Sequence, residues 1–209
     1  MAQIMSQKPR IVIAISGASG ADYGIEALRL LRELGTHETH LIVSPAGART
    51  IAEETDFTLR DVEAMADHRH NFRDIGDPLA SGSFQVAGMM IAPCSVRTLG
   101  AIAVSLGDNL IVRAADVCLK ERRRLVLMLR ETPFHLGHIE LMAKVTRYGA
   151  IVMPPVPTFY TRPQTIADLV TQTVARSLDV LGIEVAALKR WPTDDNDIPV
   201  NTLSDDADI

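Results

Sequence analysis

Five short apolar segments, spaced along most of the chain, limit most strongly how it can fold. They cover residues 11–15, 41–43, 89–92, 125–129 and 150–153. Each segment is too short for a helix and is apolar at successive positions, which is typical of a strand buried on both faces. Such strands occur in parallel sheets that are covered by helices on both sides. The pattern therefore predicts the strands of a central, mostly parallel sheet.

Helical patterns separate these predicted strands. Residues 21–34 place Ile25, Leu28 and Leu31 on one stripe, with charged residues on the opposite face. Similar patterns cover residues 95–105, 109–120, 135–148 and 163–182. Alternation of strands and helices predicts an α/β fold, namely a Rossmann or flavodoxin-like three-layer αβα sandwich with right-handed crossovers.

Three segments interrupt this alternation. Residues 67–83 have little periodicity and are predicted to form a loop. Residues 154–163 contain four prolines, which exclude regular structure and stiffen the segment. Residues 192–209 contain six Asp and few large apolar groups, so we expect an acidic, mobile tail. The remaining residues, 1–191, are predicted to form a single domain.

Composition excludes several classes of protein. The 209 residues are 47% hydrophobic, which is enough for one sizeable core, and the net charge of −5 argues against a nucleic-acid-binding surface. No apolar run approaches the roughly 18–20 residues of a membrane helix, and the first ten residues do not resemble a signal peptide. The two cysteines, Cys94 and Cys118, fit a reducing compartment. We therefore expect a cytoplasmic protein without a disulfide framework.

Small and hydroxyl-bearing residues follow three of the predicted strands. The first strand ends in residues 16–20, Ser-Gly-Ala-Ser-Gly, and the third is followed by residues 93–98, Pro-Cys-Ser-Val-Arg-Thr. Ser44 closes the second strand. Ligands of open α/β sheets bind at the carboxyl ends of the strands, where backbone N–H groups at helix N-termini receive phosphate. Because the first turn is not G-x-G-x-x-G, the pattern favours a mononucleotide over a dinucleotide, although a tight turn without a ligand remains an alternative.

Charged residues gather in two further places. Arg130 directly follows the fourth predicted strand, so it should emerge near the ligand-binding edge, whereas residues 122–124 suit a solvated helix end. Glu54 lies where the second helix is predicted to end, an electrostatically unfavourable position that indicates either another task or plain surface acidity. His68, His70, His135 and His138 show no ligand pattern, and we expect no metal site.

The order and spacing of several motifs resemble those of the UbiX-type flavin prenyltransferases. The resemblance runs from about Arg10 to Trp191 and is carried by SGASGADYG (16–24), AEETDF (52–57), IAPCSVRTL (91–99), RAADVCLKERR (113–123), LVLMLRETPFHLGH (125–138), GAIVMPPVPTFYTRPQ (149–164) and LKRW (188–191). One departure is Pro45, where the family usually carries Lys.

This resemblance implies a set of site residues. FMN would be bound near Gly17, Ala18, Ser19, Ser44, Ser95, Val96, Arg97, Thr98 and Arg130. Dimethylallyl monophosphate would be bound by Tyr160 and Arg176, with Arg113, Lys120 and Glu131 near its phosphate. The residues implied in catalysis are Ser19, Glu54, Lys120, Arg130, Glu131 and Trp191.

The same resemblance implies the reaction and its partners. A metal-independent transfer would join a dimethylallyl group to N5 and C6 of reduced FMN, and prenylated FMN would pass to a UbiD-type decarboxylase, for example in ubiquinone biosynthesis. The enzyme would be a large homo-oligomer, a dodecamer in this family. Two alternatives remain open: an FMN-binding accessory subunit of an aromatic-acid decarboxylase, or a flavin-dependent cysteine-type decarboxylase. The latter would need a His near the first helix, and residues 1–35 contain none.

Overall fold

A six-stranded parallel sheet forms the middle layer of the protein. The structure, a computed structural model, describes residues 8–191. The strands are β1 (Arg10–Ile15), β2 (Glu38–Val43), β3 (His68–His70), β4 (Gly88–Cys94), β5 (Arg124–Leu129) and β6 (Ile151–Val152), in the spatial order β3-β2-β1-β4-β5-β6. Every neighbouring pair is parallel. The predicted α/β sandwich is confirmed, and strand order reverses between β1 and β4.

Seven helices connect and cover the strands. They are α1 (Ala21–Leu34), α2 (Pro45–Glu54), α3 (Leu59–Glu63), α4 (Val96–Ala103), α5 (Leu110–Lys120), α6 (Leu136–Tyr148) and α7 (Ile166–Val180). The helix predicted over residues 163–182 begins later because Thr165 and Asp168 form a capping box that fixes its start. Within residues 8–191, none of the helices is both long and apolar enough to cross a membrane. The tail predicted at residues 192–209 lies outside the described residues.

The prediction of a loop over residues 67–83 is wrong in part, because this segment contains β3 and a 3₁₀ turn, Pro78–Ala80. The sequence of β3 is His-Arg-His, so apolar periodicity could not reveal it. Backbone pairing with β2 holds the strand instead, and the Asp67 carboxylate accepts hydrogen bonds from the Thr39 N–H at 2.8 Å and hydroxyl at 2.9 Å. Without this short edge strand, the order of the other five is that of flavodoxin-like sheets.

Two apolar cores flank the sheet. Alternate residues of β1 point to opposite faces, with Ile11, Ile13 and Ile15 in one core and Val12 and Ala14 in the other. The first core includes buried residues of α1 and α7, and the second includes those of α4 and α5. Both faces of the central strands are therefore sealed, and polar groups collect at the strand ends.

Gly24 allows α1 to lie directly against the sheet. A Cβ atom at this position would be 2.4 Å from the Ala92 carbonyl oxygen and 2.6 Å from Ile15 Cγ1. Gly100, in α4, is different, because its nearest neighbour would be Leu141 Cδ1 at 3.7 Å, an ordinary contact.

We predict that Gly24→Ala destabilises the protein although alanine is the better helix former. Overpacking costs about 1–3 kcal/mol, which outweighs a gain in helix propensity of about 1 kcal/mol. Gly100→Ala is the matched control and should leave stability equal or slightly increased. Urea denaturation of both variants measures the difference, and equal stabilities would show that α1 does not depend on this close approach.

Candidate active site

The Ser16 hydroxyl joins the two loops that diverge at the reversal of strand order. Its Oγ donates to the Pro93 carbonyl oxygen at 2.9 Å and accepts from the Ser95 N–H at 2.8 Å. Ser16 is buried. The end of β1 and the end of β4 are thereby held in one arrangement, at the place where α/β sheets bind ligands.

A cavity of about 450 Å³ opens at this point. It is lined by seven residues of the predicted site: Gly17, Ser44, Ser95, Val96, Arg97, Thr98 and Glu131. The structure thus brings together residues from the ends of β1, β2, β4 and β5. Ser16, from the predicted hydroxyl-bearing turn, lines it as well, and so do Ala46, Phe72 and Asn109, which we did not single out from the sequence.

Two helix N-termini contribute to this cavity. Ser44 Oγ accepts from the Gly47 N–H at 2.9 Å at the start of α2, and Ser95 Oγ accepts from the Thr98 N–H at 3.3 Å at the start of α4. The Ser44 hydroxyl keeps its hydrogen for a ligand, and Ser95 Oγ lies 3.0 Å from Thr98 Oγ1, so one hydroxyl of that pair donates to the other. Because the N-terminus of a helix carries partial positive charge, this arrangement suits a phosphate.

Pro45 fits the same arrangement. It is the first residue of α2, a position where proline is favoured because no N–H is needed there. Gly17 lies close by, and a Cβ on it would be only 2.2 Å from Ala46 Cβ. The first loop therefore packs directly against the start of α2, and any larger residue at position 17 would force them apart.

Glu54, Ser19 and Arg130 form a second group beside the first loop. Glu54 Oε2 accepts from the Gly20 N–H at 2.7 Å and from the Ala21 N–H at 3.3 Å. Burial raises the pKa of Glu54, but hydrogen bonds from Gly20, Ser19 and Ala21, together with the charge of Arg130, outweigh it and hold the pKa below its ordinary value of 4.5. An acid that is unfavourable at the end of α2 is therefore favourable here, because it faces the N-terminus of α1.

Tyr160 and Trp191 form a third group together with the Lys189 backbone. Their rings meet edge to face, with centroids 5.0 Å apart, and the Tyr160 hydroxyl donates to the Lys189 carbonyl oxygen at 3.3 Å. Gln172 of α7 exchanges two hydrogen bonds with the Lys189 backbone, at 2.7 and 3.0 Å. The proline-rich segment, α7 and residues 189–191 thus pack together.

Arg176 follows Gln172 by one turn of α7. Its guanidinium pairs with Asp179, whose carboxylate also accepts from Arg190 Nη2 at 2.6 Å. Within residues 8–191, no hydrogen bond or ion pair joins Tyr160 or Arg176 to the lining of the 450 Å³ cavity. Of the predicted substrate residues, Glu131 lines this cavity, whereas Tyr160 and Arg176 form a separate group in one chain.

Two further predicted residues lie on α5. Arg113, in its first turn, donates to Asp116 at 3.0 Å and to the Ala80 carbonyl oxygen at 3.4 Å. Lys120 is the last residue of α5 and lies four residues before the start of β5. Its ammonium group pairs with Glu121. It lies toward the amino ends of the strands, opposite the cavity. One chain alone therefore does not bring Lys120 to Glu131.

The chain matches proteins of known family over most of its length. A family model described as Flavoprotein matches residues 2–178. The Escherichia coli K12 protein named flavin prenyltransferase UbiX is 54% identical over 184 residues, covering 87% of this chain and 97% of that protein. The chain belongs to the UbiX flavin prenyltransferase family. The Thauera aromatica UbiX is 52% identical over 87% of this chain and 93% of that protein.

Solved structures place this UbiX family member in the same fold. A crystal structure of AnUbiX (PadA1) in complex with FMN and dimethylallyl pyrophosphate has a TM-score of 0.87 and 47% identity, covering 89% of this chain and 98% of that one. A dodecameric FMN-dependent UbiX-like decarboxylase from Escherichia coli O157:H7 has a TM-score of 0.86 and 43% identity, covering 88% and 99%. The cysteine decarboxylase TvaF is 12% identical with a TM-score of 0.61, covering 84% and 99%, and shares the fold alone.

The sequence indicated some of the other lining residues and not others. Ser16 belongs to the hydroxyl-rich turn after the first strand, so its hydroxyl was to be expected near the site, where it donates to Pro93. Asn109 caps α5 by accepting from the Val112 N–H at 3.1 Å, which a helix-start pattern also indicates. Phe72 had no signal, because its position depends on β3, which the sequence did not reveal.

For this UbiX family member, we predict that Glu54→Gln lowers stability at neutral pH by roughly 0.5–1.5 kcal/mol, a value reduced for solvent exposure. The folded-state pKa of Glu54 is lowered, so its stabilising effect is present above about pH 4.5 and is lost as the pH falls through that lowered pKa. Urea denaturation between pH 7 and pH 4 measures the change.

Glu53→Gln is the control for this prediction. Glu53 lies next to Glu54 but is exposed and pairs only with Arg49, at 2.8 Å. Its replacement should change stability by no more than about 0.5 kcal/mol. Equal losses in the two variants would mean that the contacts between Glu54 and the start of α1 contribute nothing.

Proposed function

We propose that this protein transfers a dimethylallyl group from dimethylallyl monophosphate to N5 and C6 of reduced FMN, releasing phosphate. The observation that carries the proposal is the cavity where β1 and β4 diverge, with two hydroxyl-capped helix N-termini facing it, in a chain that belongs to the UbiX family. Reduced FMN, when bound, supplies the nucleophilic atoms. The protein supplies binding, orientation and electrostatics.

The residues of the cavity fit a flavin mononucleotide. Its phosphate is matched by the N-terminus of α4, with Ser95 and Thr98, and by Ser44 at the start of α2. Gly17 leaves room for close backbone approach, and apolar Val96 and Phe72 offer surface to a planar ring. A volume of about 450 Å³ suits one nucleotide rather than two.

The second substrate needs positive charge around its leaving phosphate. Breaking the allylic C–O bond places negative charge on that phosphate, and fixed cations stabilise it, as donors stabilise an oxyanion. We assign this role to Arg130 and Arg176, with the Tyr160 hydroxyl as a further donor. Trp191 offers its π-face to the positive prenyl unit, an interaction worth roughly 2 kcal/mol where water is excluded.

Glu54 is suited to proton transfer beside the flavin. Attack of N5 on the allylic carbon releases phosphate and the N5 proton. Ring closure then adds one proton to the prenyl double bond and removes one from C6, and Glu54 or the released phosphate accepts the C6 proton. Its lowered pKa keeps Glu54 ionised at neutral pH and so able to accept. The Ser19 hydroxyl and the charge of Arg130 hold the carboxylate in position.

Association of several chains would complete the site. Lys120 lies at the end of α5 that is away from the cavity, whereas Arg113, near the start of α5, contacts Asp116 and the Ala80 carbonyl oxygen and does not line the cavity. We propose that both serve the phosphate site of a neighbouring chain in a homo-oligomer. A dodecamer, as described for the UbiX-like protein of Escherichia coli O157:H7, is the assembly we expect. We further propose a cytoplasmic enzyme whose product is used by a UbiD-type decarboxylase.

The two alternative functions have less support. An accessory subunit that only carries FMN has no use for Tyr160 and Arg176 beside Trp191, a group apart from the flavin cavity. A cysteine-type decarboxylase is disfavoured because TvaF is only 12% identical, against 54% for the Escherichia coli K12 UbiX.

We predict that the protein converts reduced FMN and dimethylallyl monophosphate to a flavin that carries one added five-carbon unit, detected by mass spectrometry. FMN should bind more tightly than FAD, because the cavity accommodates the single phosphate of a mononucleotide and has no room for a second nucleotide. Turnover should continue in the presence of EDTA, since arginine and lysine side chains, rather than a metal ion, neutralise the charge of the leaving phosphate. Turnover that stops on chelation and returns with magnesium would contradict this mechanism.

The residues assigned to dimethylallyl monophosphate, Tyr160 and Arg176, can be tested separately from FMN binding. We predict that Tyr160→Phe and Arg176→Ala leave FMN affinity nearly unchanged and weaken use of dimethylallyl monophosphate. Arg176→Ala should lower kcat/KM about ten- to hundredfold, the value of one charge-assisted contact to phosphate.

Arg190→Ala is the matched control, because Arg190 also pairs with Asp179. It should lose similar stability and keep prenyl transfer. Unchanged transfer in Arg176→Ala would remove Arg176 from the site, and lost FMN binding would assign it to the other ligand. Either result leaves the test of the overall reaction with the wild-type protein unaffected.

A further inference from the structure

A cluster of histidines lies at the sheet edge formed by β2 and β3, apart from the predicted active site. His40 and His68 are directly paired across the two strands, and His70 lies two residues further along β3. Glu38 precedes His40 by two residues, so both side chains leave the same face of β2. Strand pairing therefore brings Glu38 and His40 next to His68 and His70, which lie about 30 residues further along the chain.

Three of these groups have the spacing of ligands around one cation. Glu38 Oε1 lies 3.2 Å from His40 Nε2 and 2.9 Å from His68 Nε2. All three atoms lie within 4.8 Å of one another. Ligand atoms at about 2.0–2.2 Å from a tetrahedral zinc ion are about 3.3–3.6 Å apart. The two distances from Glu38 Oε1 are within a few tenths of an ångström of this spacing, and the stacked rings of His40 and His68, with centroids 4.7 Å apart, would have to turn toward the ion.

The fourth group, His70, connects the cluster to a carboxylate. His70 Nδ1 lies 2.7 Å from Asp77 Oδ2, and His70 Nε2 lies 2.8 Å from His40 Nδ1. An ionised carboxylate only accepts, so His70 donates from Nδ1 to Asp77, and its Nε2 faces His40 Nδ1. These two contacts fix the orientation of the His40 ring. His40 Nε2 is thereby directed at the Glu38 oxygen.

Burial and charge support the same conclusion. His40 is 3% exposed, so a positive charge on its ring would be costly unless neighbouring groups balanced it. Arg10 is the nearby positive group, with Nε 3.6 Å from Glu38 Oε1 and its guanidinium stacked 4.4 Å from the Phe84 ring centre. The charges of Glu38, Asp77 and Arg10 leave this neighbourhood with one net negative charge.

We infer that Glu38, His40 and His68 bind a divalent cation of the zinc type, with His70 and Asp77 orienting His40 from outside. Two imidazoles and one carboxylate suit zinc, nickel or cobalt rather than magnesium or calcium. Three protein ligands leave the fourth position to water. The proposal departs from our sequence-based expectation of no metal site, because pairing with β3 brings Glu38 and His40 next to His68.

The physical role of this site is to fasten the edge strand. β3 has only three residues, and it is paired on one side. Glu38 and His68 begin their strands, whereas the predicted active site lies at the carboxyl ends, roughly 16 Å along β2 at about 3.3 Å per residue. The proposal is therefore independent of prenyl transfer.

The test uses the full-length, tag-free protein after chelator treatment and dialysis. Zinc is titrated in competition with a chromophoric chelator, and we expect one zinc per chain. His68→Ala should weaken zinc binding at least ~100-fold, and Asp77→Asn, which keeps the size of the side chain, about 10–100-fold. His37→Ala is the matched control, because His37 adjoins Glu38 but contacts Thr36 at 2.8 Å. It should bind zinc as the wild type does.

Two further measurements separate a site from loss of folding. Zinc should raise the melting temperature of wild type and His37→Ala but not of His68→Ala. His68 is exposed, so its replacement should leave the fold and prenyl transfer intact. Failure of the wild type to take up one zinc per chain, or equal zinc affinity in wild type and His68→Ala, would overturn the assignment.

Discussion

One buried hydroxyl holds the two halves of the sheet in register at the place where a ligand can enter. Ser16 donates to the Pro93 carbonyl oxygen and accepts from the Ser95 N–H, so the loops after β1 and β4 cannot separate freely. The cavity exists because connections from β1 and β4 run to opposite sides of the sheet. Every other element of the cavity, including the starts of α2 and α4, is positioned relative to this junction.

Local conflicts in the sequence are resolved by contacts made elsewhere. Glu54 is unfavourable at the end of its own helix, and its carboxylate is instead used at the start of α1, where backbone N–H groups need acceptors. The same placement brings it to Ser19 and Arg130. One carboxylate therefore satisfies the start of α1 and lies beside the residues to which we assign the chemistry.

The two ends of the sheet differ in chemistry. The carboxyl ends present hydroxyls and helix N-termini, which suit an anion, whereas the amino ends of β2 and β3 present imidazoles and a carboxylate, which suit a cation. Lys120 also lies toward the amino ends, far from the cavity of its own chain. The cavity and Lys120 therefore lie at opposite ends of the sheet in one chain, which is the basis of the proposed assembly.

The sequence by itself determined the α/β layers, the strand-end hydroxyls and the family, because apolar periodicity and motif order are local signals. It did not determine β3, whose His-Arg-His carries no apolar signal and is held by pairing with β2. It also left the task of Glu54 open and missed Phe72 in the cavity. Only the tertiary structure decided these points, since contacts such as that of His40 with His68 join residues far apart in the chain. Strand pairing brings these two rings into a stack with centroids 4.7 Å apart.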